Sequence, residues 1–328
     1  MKTFQFFTTL SFLAVLLFSA CEDPEPARPA FSHSNVAKNY LNEVLDIMQE
    51  NSINKFNIDW SEFRTEVFTL TDGAQTIDDT YPGIERALEL LADNHSFFLK
   101  PDGTGFSAST VRCNLENITE TSWPDNIGYV KVNSFSGDAS NAEAIAFARE
   151  MQNQIRDQDD AQLSGWIVDL RGNLGGNMWP MIAGIGPVLG EGIAGYFIDP
   201  DNDQTSWSYV NGASVADETF TVTQLSAPYR LLSPNPKVAV LLNDGIASSG
   251  EVIAISFIGR ENTRSFGSPT CGLSTSNGTF PLSNGATLFL TTAYLADRDK
   301  NTYGEAVDPD VLVDDDNIIQ AAADWILE

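Results

Sequence analysis

Histidine is nearly missing from this chain. Only His33 and His95 occur among 328 residues, which excludes a site built from clustered imidazoles. Cysteine is almost as scarce. Cys21, Cys113 and Cys271 lie far apart with no CxxC pair, so no metal site of ordinary spacing is present in the sequence. An oxidising compartment permits a Cys113–Cys271 disulfide, but the sequence reading favours two buried free thiols. Positive charge is short as well: 18 Lys and Arg stand against 45 Asp and Glu, a formal net charge of −27. Such a field repels a phosphate backbone and argues against a nucleic-acid partner. Internal repeats and low-complexity tracts are also lacking. What remains, 42% hydrophobic and 19% charged residues, describes a folded globular chain of one large domain or two ordinary ones.

The first twenty residues read as a targeting segment. Lys2 gives a basic start, and Phe6 to Phe18 is mostly apolar but too short for a comfortable membrane span. Phe18-Ser19-Ala20-Cys21 then sets small residues before a cysteine, although Phe18 stands where a leucine is more usual. This resembles a bacterial lipoprotein signal, which implies removal of residues 1–20 and a lipid on Cys21; an ordinary secretory signal is the alternative. Residues 21–32, with Glu22-Asp23-Pro24-Glu25-Pro26, form a polar, proline-broken tether. Acidic residues after that cysteine resemble the surface-export signal of Bacteroidetes lipoproteins.

Residues 33–100 are expected to form a helical N-terminal subdomain. Tyr40, Leu41, Val44, Leu45 and Met48 recur at three- and four-residue steps. Asp59 can cap a second helix, and Tyr81-Pro82-Gly83 starts a third whose Ile84, Leu88, Leu90 and Leu91 face inward. His33 lies in a flexible approach to the first helix. Residues 105–328 read as a wound α/β core. Strands are expected at Gly128–Val132, Gly165–Leu170, Trp207–Val210, Val238–Leu242 and Thr287–Tyr294, and helices at 141–156, 178–189 and 318–327.

Three segments of this frame carry chemistry. Val238-Ala239-Val240-Leu241-Leu242 runs into Gly245-Ile246-Ala247-Ser248-Ser249-Gly250-Glu251, a strand, a small-residue turn and a helix that lift a hydroxyl to the mouth of the sheet. Trp166-Ile167-Val168-Asp169-Leu170-Arg171-Gly172-Asn173-Leu174-Gly175-Gly176 is a buried strand entering a glycine-rich turn, whose backbone N–H groups can bind an oxyanion. It lacks the spacing and the Lys-Ser/Thr ending of nucleotide loops. His95, in Asp93-Asn94-His95-Ser96, supplies a base of suitable pKa, which a serine hydroxyl needs to become a nucleophile. Taken singly, each has a plain structural reading: a close-packed turn, a tight glycine loop, an incidental histidine.

In this order the three segments resemble the C-terminal processing (tail-specific) serine peptidases. Gly267-Ser268-Pro269-Thr270-Cys271-Gly272 and Val307-Asp308-Pro309-Asp310-Val311 extend the likeness, which covers roughly Leu90 to Val313. The resemblance implies an α/β spiral core of the ClpP/crotonase type. It implies Ser248 as nucleophile, three residues before Glu251, with the Ser249 amide and one from Gly175 or Gly176 forming the oxyanion hole. Dyad members of the family place a lysine about twenty-five residues beyond the serine, where desolvation makes it a base. Here Leu273 follows Gly272, and no lysine occurs between Ser248 and Lys300. The chain is instead similar to the tricorn-core and retinoid-binding-protein branch, in which a histidine serves. That makes His95 the base, Ser96 a neighbour in its hydrogen-bond chain and Glu305 its expected acidic partner, with Asp93 as the alternative. About thirty residues separate His95 from the Gly128 strand, too few for the PDZ domain that many relatives insert.

The expected activity is a serine-type endopeptidase of the bacterial cell envelope. It would be lipid-anchored, at the outer membrane, act on a peptide or protein, and need no metal or organic cofactor. A non-catalytic lipoprotein that binds a peptide or an apolar ligand is the first alternative, and an esterase using the same serine is the second.

Overall fold

Ser34 turns the chain into its first helix by accepting the Ala37 N–H on its side chain. That helix, α1 (Asn35–Asn51), buries Tyr40, Leu41, Val44, Leu45 and Met48 along one stripe. In this computed structural model residues 31–114, 118 and 122–328 are described. Cys21 and the targeting segment lie outside them. Asp59 caps α2 (Trp60–Leu70) and Pro82 sits in the first turn of α3 (Tyr81–Leu90). The inward face of α3 is Ile84, Ala87 and Leu88, with Leu91 just beyond and Leu90 only part-buried. His33 is not in a flexible approach: its ring bonds Thr71 Oγ1 at 2.9 Å and packs edge-on against Phe68.

The lead-in does not close on itself. Its chain continues through β1 (Phe97–Leu99) and β2 (Gly105–Ser107). The core proper follows with β3 (Ile127–Lys131), α4 (Ala142–Gln158), β4 (Gly165–Asp169) and α5 (Met178–Leu189). Next come four antiparallel strands, β5 (Gly192–Ile198), β6 (Gln204–Val210), β7 (Ala213–Ala216) and β8 (Phe220–Gln224). The chain then forms β9 (Lys237–Leu242), α6 (Ser249–Phe257), β10 (Thr263–Gly267), β11 (Thr275–Pro281), β12 (Thr287–Ala296), β13 (Val311–Leu312) and α7 (Ile318–Leu327).

Two sheets result. The first is parallel throughout, in the order β13-β10-β9-β4-β3. Its central strands β4 and β9 are buried on both faces, as a position between two layers requires. Val238, Val240 and Leu242 face the core shared with α5 and α6, while Ala239 and Leu241 face α7 through Ile318, Ala322 and Ile326. The second sheet is eight-stranded and antiparallel, running β2-β1-β12-β5-β6-β7-β8 with β11 on the free flank of β12. β12 is the long strand that ties the molecule together. Leu288 and Leu290 join Leu41, Leu45 and Phe98 in the helical core, and Leu295 joins the core of the parallel sheet. The helical segment is thus sealed by a strand that lies about two hundred residues later.

Candidate active site

The strongest local anomaly is at Ser248. β9 ends at Leu242, the chain turns, and α6 begins at Ser249, which leaves Ser248 as N-cap with φ 54° and ψ −121°. A residue with a Cβ rarely adopts that conformation, and holding it costs about 1–3 kcal/mol. The surroundings impose it. Ala247 N–H donates to the Asn173 carbonyl at 3.0 Å, Gly250 N–H to the Ala247 carbonyl at 2.8 Å, and Asn243 Oδ1 accepts from Gly245 N–H and Gly172 N–H. The glycine turn and the serine turn are therefore stitched to each other.

Glu251 is the residue that sequence reasoning passed over, using it only to count back to the serine. Its carboxylate is fully buried and accepts four hydrogen bonds. Oε2 takes the amides of Ser248 (2.8 Å) and Leu273 (2.9 Å); Oε1 takes the Thr270 hydroxyl (2.6 Å) and the Gly272 amide (3.0 Å). Burial pushes its pKa up to about 7, and the hydrogen bonds oppose that rise. A glutamate three residues into a helix is an ordinary capping residue in sequence. Its burial and its grip on the 270–273 loop become visible only in the fold.

The two expected oxyanion donors separate. Gly175 N–H is committed to Asn173 Oδ1 at 2.9 Å. Gly176 N–H has no hydrogen-bond partner among the described residues, and Ser249 N–H belongs to the first turn of α6, where no intrahelical acceptor exists. Both glycines are forced. Gly175 has φ +93°, and a Cβ there would lie 2.7 Å from Ser249 N; Gly176 has φ +108°, with Phe135 O 2.1 Å from its Cβ position. Beneath them Asp169 and Arg171 pair at 2.8 Å in full burial, and the Tyr129 hydroxyl donates to Asp169 at 2.7 Å.

His95 follows α3 and precedes β1. It lines the same cleft as Ser248, Ser249 and Gly176, a cavity of about 900 Å³. The two side chains are not hydrogen-bonded to each other; His95 bonds Thr275 instead. Burial pushes the imidazole pKa down to about 4, against an opposing pull from the nearby Asp93 carboxylate. The ring is therefore neutral at ordinary pH.

The partner of that ring is not the expected one. His95 Nδ1 lies 2.9 Å from Thr275 Oγ1 on β11. Glu305 is exposed and makes no side-chain hydrogen bond to His95; what it contributes is its backbone carbonyl, which accepts the Ser274 hydroxyl. Asp93 holds the turn rather than the ring, accepting the amides of His95 (2.9 Å) and Ser96 (2.7 Å) and the hydroxyls of Ser96 and Thr291. Ser96 likewise bonds Asp93 and Thr291, not the imidazole. A hydroxyl on a strand 180 residues away leaves no signature in the sequence.

Leu273, standing where a lysine would serve as base, lines the cleft and donates its amide to Glu251. The expectation of free thiols fails. Cys113 and Cys271 form a disulfide, with Cα atoms 5.2 Å apart across a sequence separation of 158. The chain between β2 and β3 returns over the loop that follows β10, which distance along the sequence conceals.

Comparison with known proteins gives the family and the fold. The family description "Peptidase family S41" matches residues 126–313, a span that holds both turns and leaves His95 outside. The nisin-resistance protein of Lactococcus lactis subsp. lactis is 26% identical over 288 residues, covering 88% of this chain and 86% of that one. The carboxy-terminal processing protease CtpA of Bacillus subtilis is 26% identical over 179 residues, 55% of this chain and 33% of its own length. Among solved structures, a lipoprotein from Streptococcus agalactiae superposes with a TM-score of 0.69 at 21% identity, covering 90% and 97% of the two chains. The photosystem II D1 C-terminal processing protease superposes with a TM-score of 0.58 at 15% identity, covering 88% and 98%.

Proposed function

Since this chain belongs to peptidase family S41 and is a serine-type hydrolase acting on peptides or proteins, we propose that Ser248 is its nucleophile and His95 its base. His95 Nε2 takes the Ser248 proton as Oγ attacks a peptide carbonyl carbon. With Nδ1–H donated to Thr275, the Nε2 lone pair is free for that task. The carbonyl oxygen, now anionic, is held by the amides of Ser249 and Gly176. Collapse expels the amine with the proton from His95 and leaves an acyl ester on Ser248. Water, deprotonated by the same imidazole, then releases the acid.

The observation that carries this reading is the strained Ser248 beside two uncommitted amides and a neutral, buried imidazole in one cleft. A cleft used only for binding has no need of that backbone conformation. Its walls are partly aromatic, with Phe97 stacked on Phe289 at 4.4 Å, which suits an apolar side chain near the scissile bond. A fluorophosphonate should label wild type at Ser248 and leave Ser248→Ala unlabelled and inactive. Peptide turnover at the wild-type rate in Ser248→Ala would refute the assignment. Saturable peptide binding with no labelling would favour the binding lipoprotein, and ester without peptide turnover the esterase.

We further propose anchoring to the envelope, at the outer membrane, through a lipid on Cys21. The targeting pattern of residues 1–21 supports it, as does similarity to a lipoprotein and to a nisin-resistance protein. No helix among the described residues is long and apolar enough to cross a membrane. Fractionation of Cys21→Ser cells tests this, with release from the membrane fraction as the expected result and unchanged retention as the refuting one.

A further inference from the structure

Ser248 and His95 hang on different cores, the serine on the parallel sheet and the histidine on the helical segment with β1 and β12. A short strap, residues 108–114, joins the two turns directly. It leaves β2, and Thr110 donates its N–H (3.1 Å) and hydroxyl (3.2 Å) to Asn94 Oδ1, the residue before His95. Three residues later Cys113 is bonded to Cys271. Asn114 N–H donates to the Asp244 carbonyl, and the Asn114 carbonyl lies 2.6 Å from where a Cβ on Gly245 would sit. Cys271 in turn donates its N–H to the Ile246 carbonyl at 2.8 Å and precedes Gly272 and Leu273, which clamp Glu251 and through it the Ser248 amide. One end of the strap is fastened beside the base, the other beside the nucleophile, and the disulfide is its one covalent cross-link among the described residues.

We propose that the Cys113–Cys271 disulfide positions His95 against Ser248, so that hydrolysis depends on the oxidised bridge. Both cysteines are part-exposed, within reach of a small thiol. A dithiol opens the bridge by thiol–disulfide exchange: two electrons and two protons pass to the sulfurs, the dithiol becomes a disulfide, and Cys113 and Cys271 become thiols. The strap then keeps its hydrogen bonds to Asn94 and Asp244 but loses the covalent link to the 271–273 loop. A misplacement near 1 Å between reacting groups can cost about a hundredfold in rate. The enzyme would therefore work in an oxidising envelope compartment and idle where thiols are kept reduced.

This inference rests on the Ser248–His95 reading, and the experiment separates the two. Fluorophosphonate labelling and peptide hydrolysis are measured on the full chain as oxidised, after dithiothreitol, and after reoxidation, with far-UV circular dichroism recorded on each sample. The expected result is a fall in kcat of about ten- to a hundredfold on reduction, KM changing little, an unchanged spectrum, and recovery on reoxidation. The Cys113→Ser, Cys271→Ser double variant should match the reduced enzyme and ignore dithiothreitol. Thr110→Val keeps the bridge but loosens the histidine end, and should also lower kcat with KM unmoved. Reduced, native-spectrum enzyme that labels at the oxidised rate overturns the proposal. So does activity lost only in step with the spectrum, because the bridge would then merely stabilise the fold. Failure of the underlying reading shows differently, as oxidised wild type that does not label at Ser248, and the inference falls with it.

Discussion

Replacing Glu251 with glutamine tests whether the buried carboxylate is ionised at a cost. In the folded chain its pKa stands near 7 against 4.5 unperturbed. An acid with a raised pKa holds its proton more tightly folded than unfolded, so stability is lost as pH rises through that window. The displacement is worth about 3 kcal/mol in full, and about 2 kcal/mol of it falls between pH 5 and pH 8. Glutamine removes this dependence. It also fits three of the four donors: its carbonyl can accept from Ser248 and Leu273, and its amide can donate to Thr270 Oγ1 with the hydroxyl reversed. The amide of Gly272 is left facing an N–H, at about 1–3 kcal/mol. Glu251→Gln is therefore expected to be the less stable protein at pH 5 and to gain about 2 kcal/mol on wild type by pH 8. Urea unfolding of both proteins at the two pH values measures this, and the other titrating groups cancel in the difference. A difference that does not move with pH refutes the reasoning. Labelling of Ser248 should survive in Glu251→Gln, since its amide keeps an acceptor, and vanish in Glu251→Ala, which orphans all four donors.

Thr275→Val removes the partner of His95 Nδ1 and should lower kcat by at least about tenfold with KM unaffected, Thr275→Ser restoring it; wild-type kcat in the valine variant refutes the tautomer assignment. Because burial holds His95 uncharged down to about pH 4, the histidine should give kcat/KM no acid limb near pH 6.5 in the free enzyme, and its contribution to stability should rise from pH 4 to 6.5; a limb near 6.5 that disappears in Glu251→Gln would belong to Glu251, and one that persists there would contradict the lowered pKa. Gly175→Ala places a methyl 2.7 Å from Ser249 N at φ +93° and should abolish labelling, which intact labelling in a soluble variant would contradict. Asp169→Asn leaves buried Arg171 with only the exposed Asp315 carboxylate, 3.8 Å away, and should cost about 3 kcal/mol in urea unfolding, a loss under about 1 kcal/mol showing that the buried pair is dispensable.

Where the chain is strongly periodic or continuously apolar, its helices and buried strands are legible in the sequence. The helices at Met178–Leu189 and Ile318–Leu327 coincide with their expected bounds, and β3, β4 and β9 fall within a residue or so of theirs. β5, β7 and β8 carry no clear strand pattern in the sequence: Gly192 and Gly195 interrupt β5, and β7 and β8 are short and carry serine or threonine among their few apolar residues. The serine turn and the glycine turn were legible because each carries residues that only a constrained backbone requires. Their partners were not. Thr275 and Glu251 act through burial and orientation, and Glu305, the acid expected to orient the histidine, is set outward by the turn that gives Ser274 its carbonyl acceptor. The choice between Gly175 and Gly176 likewise depends on Asn173 Oδ1, which takes one amide and leaves the other.

The hairpin of β11 and β12 closes the helical segment from the far end of the chain and carries Thr275, Asn277 and Thr291, which hold His95 and its turn. During synthesis His95 is made long before those residues, and the serine turn too precedes them. The proposed pair of Ser248 and His95 therefore lacks the contacts that hold the histidine turn until residue 291 has been added and paired. A chain interrupted earlier carries Ser248 and His95 but lacks the strands that hold the histidine turn.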